Sequence, residues 1–343
     1  MSAPTLTPAD AAPDAASAQA PYSPSLLRKL AATPEAGVVL ACVVAFVAFA
    51  VSAKTYSSTA NMQVMGRDLA QFGILAIGES FVILTGGIDL SVGGLAGLSG
   101  ILAGWFSVTH GMPAPLAILL TLAICAGIGY WHGTMVNKLN VPPFVITLVT
   151  FTICKGLALS ITSGTPITGL SNIFGDLSLY YAGPVPIPAL IFVGVAVVAW
   201  FALERTYVGR QIYAVGGNPE AARLAGIPVA RRVTSAYVTS SVLAGVVGML
   251  IIGRLGVADP SIAGTGYELT AIAAAVVGGV SLFGGEGRIV GIAAGAILLE
   301  LISQGLLSLN VNTYYQTVAQ GAVLGVAILA DRVRAKYFGS AKR

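Results

Sequence analysis

Charge is what this sequence lacks most. Only 9% of its 343 residues are Asp, Glu, Lys or Arg, against about 25% in soluble domains. With 56% hydrophobic residues, the apolar surplus has to be lipid-facing surface, and a water-soluble domain is excluded. Histidine is nearly absent: His110 and His132 stand apart, with no HExxH segment, GxSxG turn or carboxylate cluster. That excludes serine or metal hydrolysis within the membrane. No GxxxxGK[ST] run occurs, so the chain holds no ATP through a phosphate loop, and nothing in it calls for a cofactor or a metal. The three cysteines, Cys42, Cys125 and Cys154, lie inside apolar runs, odd in number and without CxxC spacing; they read as packing residues. The net charge of +4 is better explained by membrane topology than by a nucleic-acid footprint.

What the chain does have is long apolar runs. Hydrocarbon about 30 Å thick needs roughly 20 mostly apolar residues per helix, and on that measure there are about ten spans: 36–53, 69–87, 92–109, 114–137, 143–161, 188–203, 233–253, 268–284, 288–307 and 314–331. The fold class is therefore all-α, a polytopic transmembrane helical bundle. The third span is glycine-rich and open to being broken or re-entrant. The first ends Val51-Ser52-Ala53 before Lys54, as a signal-peptidase site does, yet its apolar core is long and its basic residues are far from the start; it reads as an uncleaved span. The 42 glycines suit close helix packing, and Gly93/Gly97, Gly100/Gly104, Gly291/Gly295 and Gly321/Gly325 have small-xxx-small spacing.

With the N-terminus placed in the cytoplasm, fourteen of the 18 Lys and Arg fall inside. Lys54, Arg67 and Arg254 fall outside, and Lys155 lies within a span. This asymmetry puts both termini in the cytoplasm. Residues 1–35 form a disordered cytoplasmic tail, 36–331 the transmembrane domain with its largest cytoplasmic loop at 204–232, and 332–343 a basic cytoplasmic tail.

Within that loop, GGNPEAARLAGIP (216–228) carries the punctuation of a short helix. Asn218 suits the N-cap, Pro219 the first helical position and Glu220 the positive N-terminal end. Gly226 suits the left-handed closing residue, and Pro228 prevents continuation. Two turns are marginal alone. Either the helix rests on its own protein, or it docks into a groove on another cytoplasmic protein that supplies the missing stabilisation.

Ionisable residues within spans are candidates for function: Glu79, Lys155 and Glu300 qualify, lining a polar cavity or pairing for packing, with Gln304 one turn beyond Glu300. In ILTGGIDLSVGGLAG (83–97), Asp89 stands ahead of Ser91 where its carboxylate caps the third span. Thr265 and Glu268 have capping-box spacing for the eighth. GGIDLSVGG (86–94) is echoed by GGVSLFGG (278–285) too briefly to define a repeat.

Taken together, ILTGGIDLSVGG (83–94), TYVGRQIYAVGGNPEAARLAGI (206–227), GTGYELTAIAAAVVGGVSLFGGEGRIVG (264–291) and NTYYQ (312–316) resemble the permease subunits of bacterial sugar ABC importers, of the ribose/xylose/arabinose/galactose type. The resemblance runs from about residue 60 to 331. It implies a multi-pass protein of the bacterial cytoplasmic (inner) membrane, paired with a second permease subunit as a homodimer or heterodimer. It also implies a separate cytoplasmic ABC ATPase that hydrolyses the ATP, and a periplasmic or lipid-anchored sugar-binding protein. The coupling segment of that family falls on Gly217, Asn218, Glu220, Ala221, Ala222, Gly226 and Ile227. Glu79, Asp89, Ser91, Lys155, Glu268 and Glu300 are the candidates for the translocation pathway. Glu286 and Glu300 depart from the residues usual in such permeases, basic and small or apolar respectively. From the intramembrane carboxylates alone, an ion-coupled secondary transporter is the alternative.

Overall fold

The computed structural model describes residues 34–261 and 266–312 and parts of 314–329. Residues 1–33 and 332–343, Thr265 and part of the tenth expected span (317, 320, 324, 327, 328, 330 and 331) lie outside the described residues. In chain order the helices are α1 (Pro34–Ser52), α2 (Thr59–Leu84), α3 (Val92–Gly104), α4 (Ala114–Leu139), α5 (Pro143–Thr162) and α6 (Asn172–Leu179). A two-strand hairpin, β1 (Tyr181–Ala182) and β2 (Val185–Pro186), follows. Then come α7 (Ile187–Trp200), α8 (Tyr207–Gly217), α9 (Pro219–Leu224), α10 (Val229–Leu255), α11 (Tyr267–Val277) and α12 (Ile289–Ser308).

Seven helices among the described residues are long and apolar enough to cross a membrane. They are α1, α3 with the π-helical turn Trp105–Thr109, α4, α5, α7 with the π-helical turn Phe201–Arg205, α10 and α12. The third expected span is thus continuous, not broken. The first begins at Pro34, inside the stretch expected to be tail. α2 has 26 residues but carries Arg67, Asp68 and Glu79, and it is not among the seven. The eighth expected span is corrected most: α11 has 11 residues, because Gly278 and Gly279 (φ +91°) end it and Ser281 N–H closes a turn onto the Glu286 carbonyl, 3.0 Å.

α10 is the centre of the bundle, packed against α4, α3 and α2. Lipid gives helices no hydrophobic reason to associate, so small residues that let backbones meet must do it. A Cβ on Gly133 would stand 2.5 Å from the Thr234 Cα, and one on Gly100 would stand 2.9 Å from the Gly248 carbonyl. Of the four spaced glycine pairs, Gly291/Gly295 packs this way, Gly104 beside Gly100 meets the side chains of Ala258 and Leu170, and Gly321 and Gly325 face nothing within 4 Å. Cys125 and Cys154 are buried and Cys42 is half-buried, all free thiols. The apolar faces of α1 (Leu40, Val43, Val47), α5 (Phe144, Leu148, Ile153) and α7 (Val193, Val197, Val198) stay exposed, as lipid contact requires.

Arg67, Arg254 and the β-hairpin gather at one end of the bundle. There Arg67 bonds Tyr181, and Arg254 pairs with Asp68. The opposite end, where α2 finishes, carries α8 and α9.

Candidate coupling segment and intramembrane polar sites

The punctuation read in 216–228 closes as hydrogen bonds. α8 starts where Thr206 Oγ1 accepts the Gly209 N–H (3.2 Å) and ends at extended Asn218. Asn218 Oδ1 then accepts the Ala221 N–H, 2.9 Å, and Pro219 occupies the first turn of α9. At the other end Gly226 is left-handed (φ +78°). Its N–H reaches the Arg223 carbonyl and the Ile227 N–H reaches the Ala222 carbonyl, each at 3.0 Å, which is the paired closure of a Schellman motif. Glu220 and Arg223 form an exposed pair at 3.0 Å, worth little by itself. Six residues thus carry a full cap at each end.

What the helix rests on is slight. Ala222 is buried and Ile227 half-buried, while Gly217, Asn218, Glu220, Ala221 and Gly226 are exposed and Leu224 is 90% exposed. Sequence reasoning passed over α8, whose Gly209, Ile212 and Val215 are buried. It lay inside the connection 204–232 expected as a loop, and its buried positions at 209, 212 and 215 carry the three-residue spacing of a helix face. Tyr213 on α8 donates to the Gly287 carbonyl, 2.8 Å. Burial, then the Glu204 charge, pushes its hydroxyl up to about 12, so it remains a neutral donor.

The intramembrane candidates do not share one cavity. Glu79 and Asp89 belong together: Glu79 Oε1 accepts the Asp89 N–H at 3.0 Å. Asp89 Oδ1 takes both the N–H (3.0 Å) and the hydroxyl (2.5 Å) of Ser91, and Oδ2 takes the Ser240 hydroxyl at 2.9 Å. All four residues are fully buried. The expected cap by Asp89 is therefore shifted. Ser91 is the N-cap residue of α3 and makes no side-chain capping bond; Asp89 fixes the turn before it and ties that turn to α10. Thr147 Oγ1 accepts the Leu90 N–H, 3.1 Å, and His132 bonds Thr150, 2.7 Å. Ser240, Thr147 and His132 were missed, since each lies in a different span and only long-range packing unites them.

Glu300 is elsewhere, in a small pocket lined by Phe72, Thr270, Ala274, Ala296, Leu299 and Ser303. Gln304 beside it donates to Asp68 Oδ2, 3.1 Å, and Asp68 pairs with Arg254. Lys155 lies over the Phe151 ring, 5.3 Å, half-buried on α5. Glu268 is in the first turn of α11, whose N-cap residue is Gly266; the capping partner expected at Thr265 lies outside the described residues. No group of three or more His, Cys, Asp or Glu able to hold a metal occurs among the described residues.

Residues 67–329 match the family described as branched-chain amino acid transport system / permease component. The ribose import permease protein of Bacillus subtilis (strain 168) is 41% identical over 269 residues, 78% of this chain and 83% of that protein. The D-allose transport system permease protein of Escherichia coli (strain K12) is 36% identical over 263 residues, 77% of this chain and 80% of that one. The fructose import permease protein of Rhizobium meliloti is 32% identical over 337 residues, covering 94% and 93%. No solved structure gives a significant match.

Proposed function

The chain belongs to the transport-system permease family whose signature spans residues 67–329, and from that membership we propose how it works: as the membrane conduit of a monosaccharide ABC importer, driven from outside its own fold. It is a multi-pass protein of the bacterial inner membrane and a transport subunit. Relatives named for ribose, D-allose and fructose favour a monosaccharide over an amino acid as the solute. They also favour this reading over an ion-coupled secondary transporter.

The observation that carries the mechanism is α9, a six-residue helix capped at both ends and presenting a 90% exposed Leu224. Full capping of so short a helix stabilises a shape, not a core, and an exposed apolar tip is what a partner's groove buries. In this reading Gly217, Asn218, Glu220, Ala221, Ala222, Gly226 and Ile227 form the foot on which a separate cytoplasmic ATPase closes. Two permease subunits enclose the pathway, a periplasmic or lipid-anchored binding protein supplies the sugar, and both termini lie in the cytoplasm. Glu300 with Thr270 and Ser303, and Lys155 with Glu268, are the polar groups assigned to the pathway. Glu79, Asp89 and Ser91, fully buried in mutual hydrogen bonds, hold the frame beside it.

Reconstitution tests this. Liposomes containing the permease, its ATPase and its binding protein are given a mixture of labelled ribose, D-allose and fructose. Uptake requires all three proteins and ATP, and an ionophore leaves it intact. Uptake by the purified chain alone on an ion gradient would overturn the proposal.

A further inference from the structure

Behind the α9 helix three glycine turns meet backbone to backbone. α2 ends at Leu84, whose carbonyl is among those a helix leaves without an internal partner. The N–H of Gly285, in the loop joining α11 to α12, takes it at 3.1 Å. Gly216, in the last turn of α8, presses against this bond. A Cβ placed on it would overlap the Leu84 oxygen and stand 2.5 Å from the Gly285 nitrogen. A Cβ on Gly284 (φ +83°) would stand 2.9 Å from the Gly86 nitrogen and 3.1 Å from the Gly216 Cα. On Gly285 (φ +75°) it would stand 2.7 Å from the Gly217 nitrogen. No side chain fits at Gly216, although alanine would favour α8 by up to about 1 kcal/mol.

The loop that meets Gly216 is stiff. Ser281 N–H closes onto the Glu286 carbonyl and Gly284 N–H onto the Ser281 carbonyl, both at 3.0 Å. Tyr213, three residues before Gly216 on α8, clasps the same loop through the Gly287 carbonyl at 2.8 Å. α9 begins at Pro219, just past the junction. On one side of the junction lies α2, which carries Glu79; on the other lies the loop between α11 and α12, the helices that line the Glu300 pocket.

We infer that Gly216 is a positioning residue for transport: its bare contact with the Leu84–Gly285 hydrogen bond passes displacement of α9 jointly to α2 and to the α11–α12 loop. The inference rests on the reading of α9 as the ATPase foot, and adds where the push goes. Packed backbones deliver it because close-packed contacts transmit strain without give. A methyl group at Gly216 wedges the junction open, leaving α9 with its own caps and exposed face.

The test uses the complete transporter in proteoliposomes with the same three labelled sugars, reading ATPase co-purification, ATP hydrolysis and sugar taken up per ATP. Gly216→Ala is expected to keep ATPase recovery at the wild-type level while uptake per ATP falls about tenfold, within the range of measured coupling losses. Tyr213→Phe keeps the ring and removes only the clasp, and its uptake per ATP falls about twofold to threefold; it decides alone should Gly216→Ala fail to insert. Gly194→Ala on α7, with nothing within 4 Å of the added carbon, leaves the ratio unchanged. A wild-type ratio in Gly216→Ala and Tyr213→Phe overturns the inference. So does loss of the ATPase in Gly216→Ala, which would make the junction part of the docking surface. Failure of the foot itself is read separately, by Gly226→Pro.

Discussion

With Gly226 replaced by proline, the permease is expected to reach the membrane in normal amount but to recover less than about a tenth of its ATPase on co-purification, a loss of more than about 1.4 kcal/mol. The reason is local. Gly226 sits at φ +78°, and proline is locked near −65°. Proline also has no N–H for the Arg223 carbonyl, 3.0 Å away, and the displaced chain loses the second closing bond, from Ile227 to Ala222. A six-residue helix stripped of its C-terminal closure has no internal reason to persist. The damage stays at the surface, because a side chain at Gly226 meets nothing within 4 Å. Glu220→Lys acts at the other end: it reverses the charge at the positive N-terminus and turns the pair with Arg223 into a repulsion. Wild-type ATPase recovery in both variants would contradict the assignment of the foot.

Asp89→Ala is expected to destabilise the bundle strongly. It removes the acceptor of three hydrogen bonds at once, the Ser91 N–H, the Ser91 hydroxyl and the Ser240 hydroxyl, where no water reaches. At the average of about 0.6 kcal/mol measured for hydrogen bonds inside a membrane protein, three amount to roughly 2 kcal/mol. Leaving the donors buried and unpaired raises that to about 3–5 kcal/mol. The melting temperature in detergent should drop by about 5–10 °C. Asp89→Asn keeps Oδ1 as an acceptor for Ser91, and its amide can donate to the Ser240 oxygen, so its loss should be less than half as large. Equal melting of Asp89→Ala and wild type would show that the network does not hold α3 to α10.

The sequence made local features legible and long-range ones opaque. The caps of α9 depend on residues within a few positions of one another, so Asn218, Pro219 and Gly226 could be assigned from spacing alone. α4 and α5 match their expected spans because an uninterrupted apolar run has one way to cross lipid. The eighth span failed for an equally local reason: Gly278 and Gly279 stop α11, yet glycine is so common in these helices that a terminating pair reads like a packing pair. Glu79, Lys155 and Glu300 were grouped as ionisable residues within apolar runs, which hydropathy supplies, but they separate by helix face and by neighbour, which it does not. The brief echo between 86–94 and 278–285 defines no repeat. Its glycines nonetheless meet at one junction, because Gly86, Gly284 and Gly285 all lie where two backbones must touch.

The central claim is that the exposed tip of α9 is where an outside engine takes hold. The direct measurement places a photoreactive benzoyl-phenylalanine at Leu224 in the full chain, in inverted membrane vesicles containing the ATPase, and identifies what it cross-links on illumination. The account predicts a single adduct of permease and ATPase, lost when Gly226→Pro is introduced in the same chain. A probe that labels lipid or the permease itself while the bound ATPase stays unmodified, or a Leu224→Cys thiol that reacts from the periplasmic side, would contradict it.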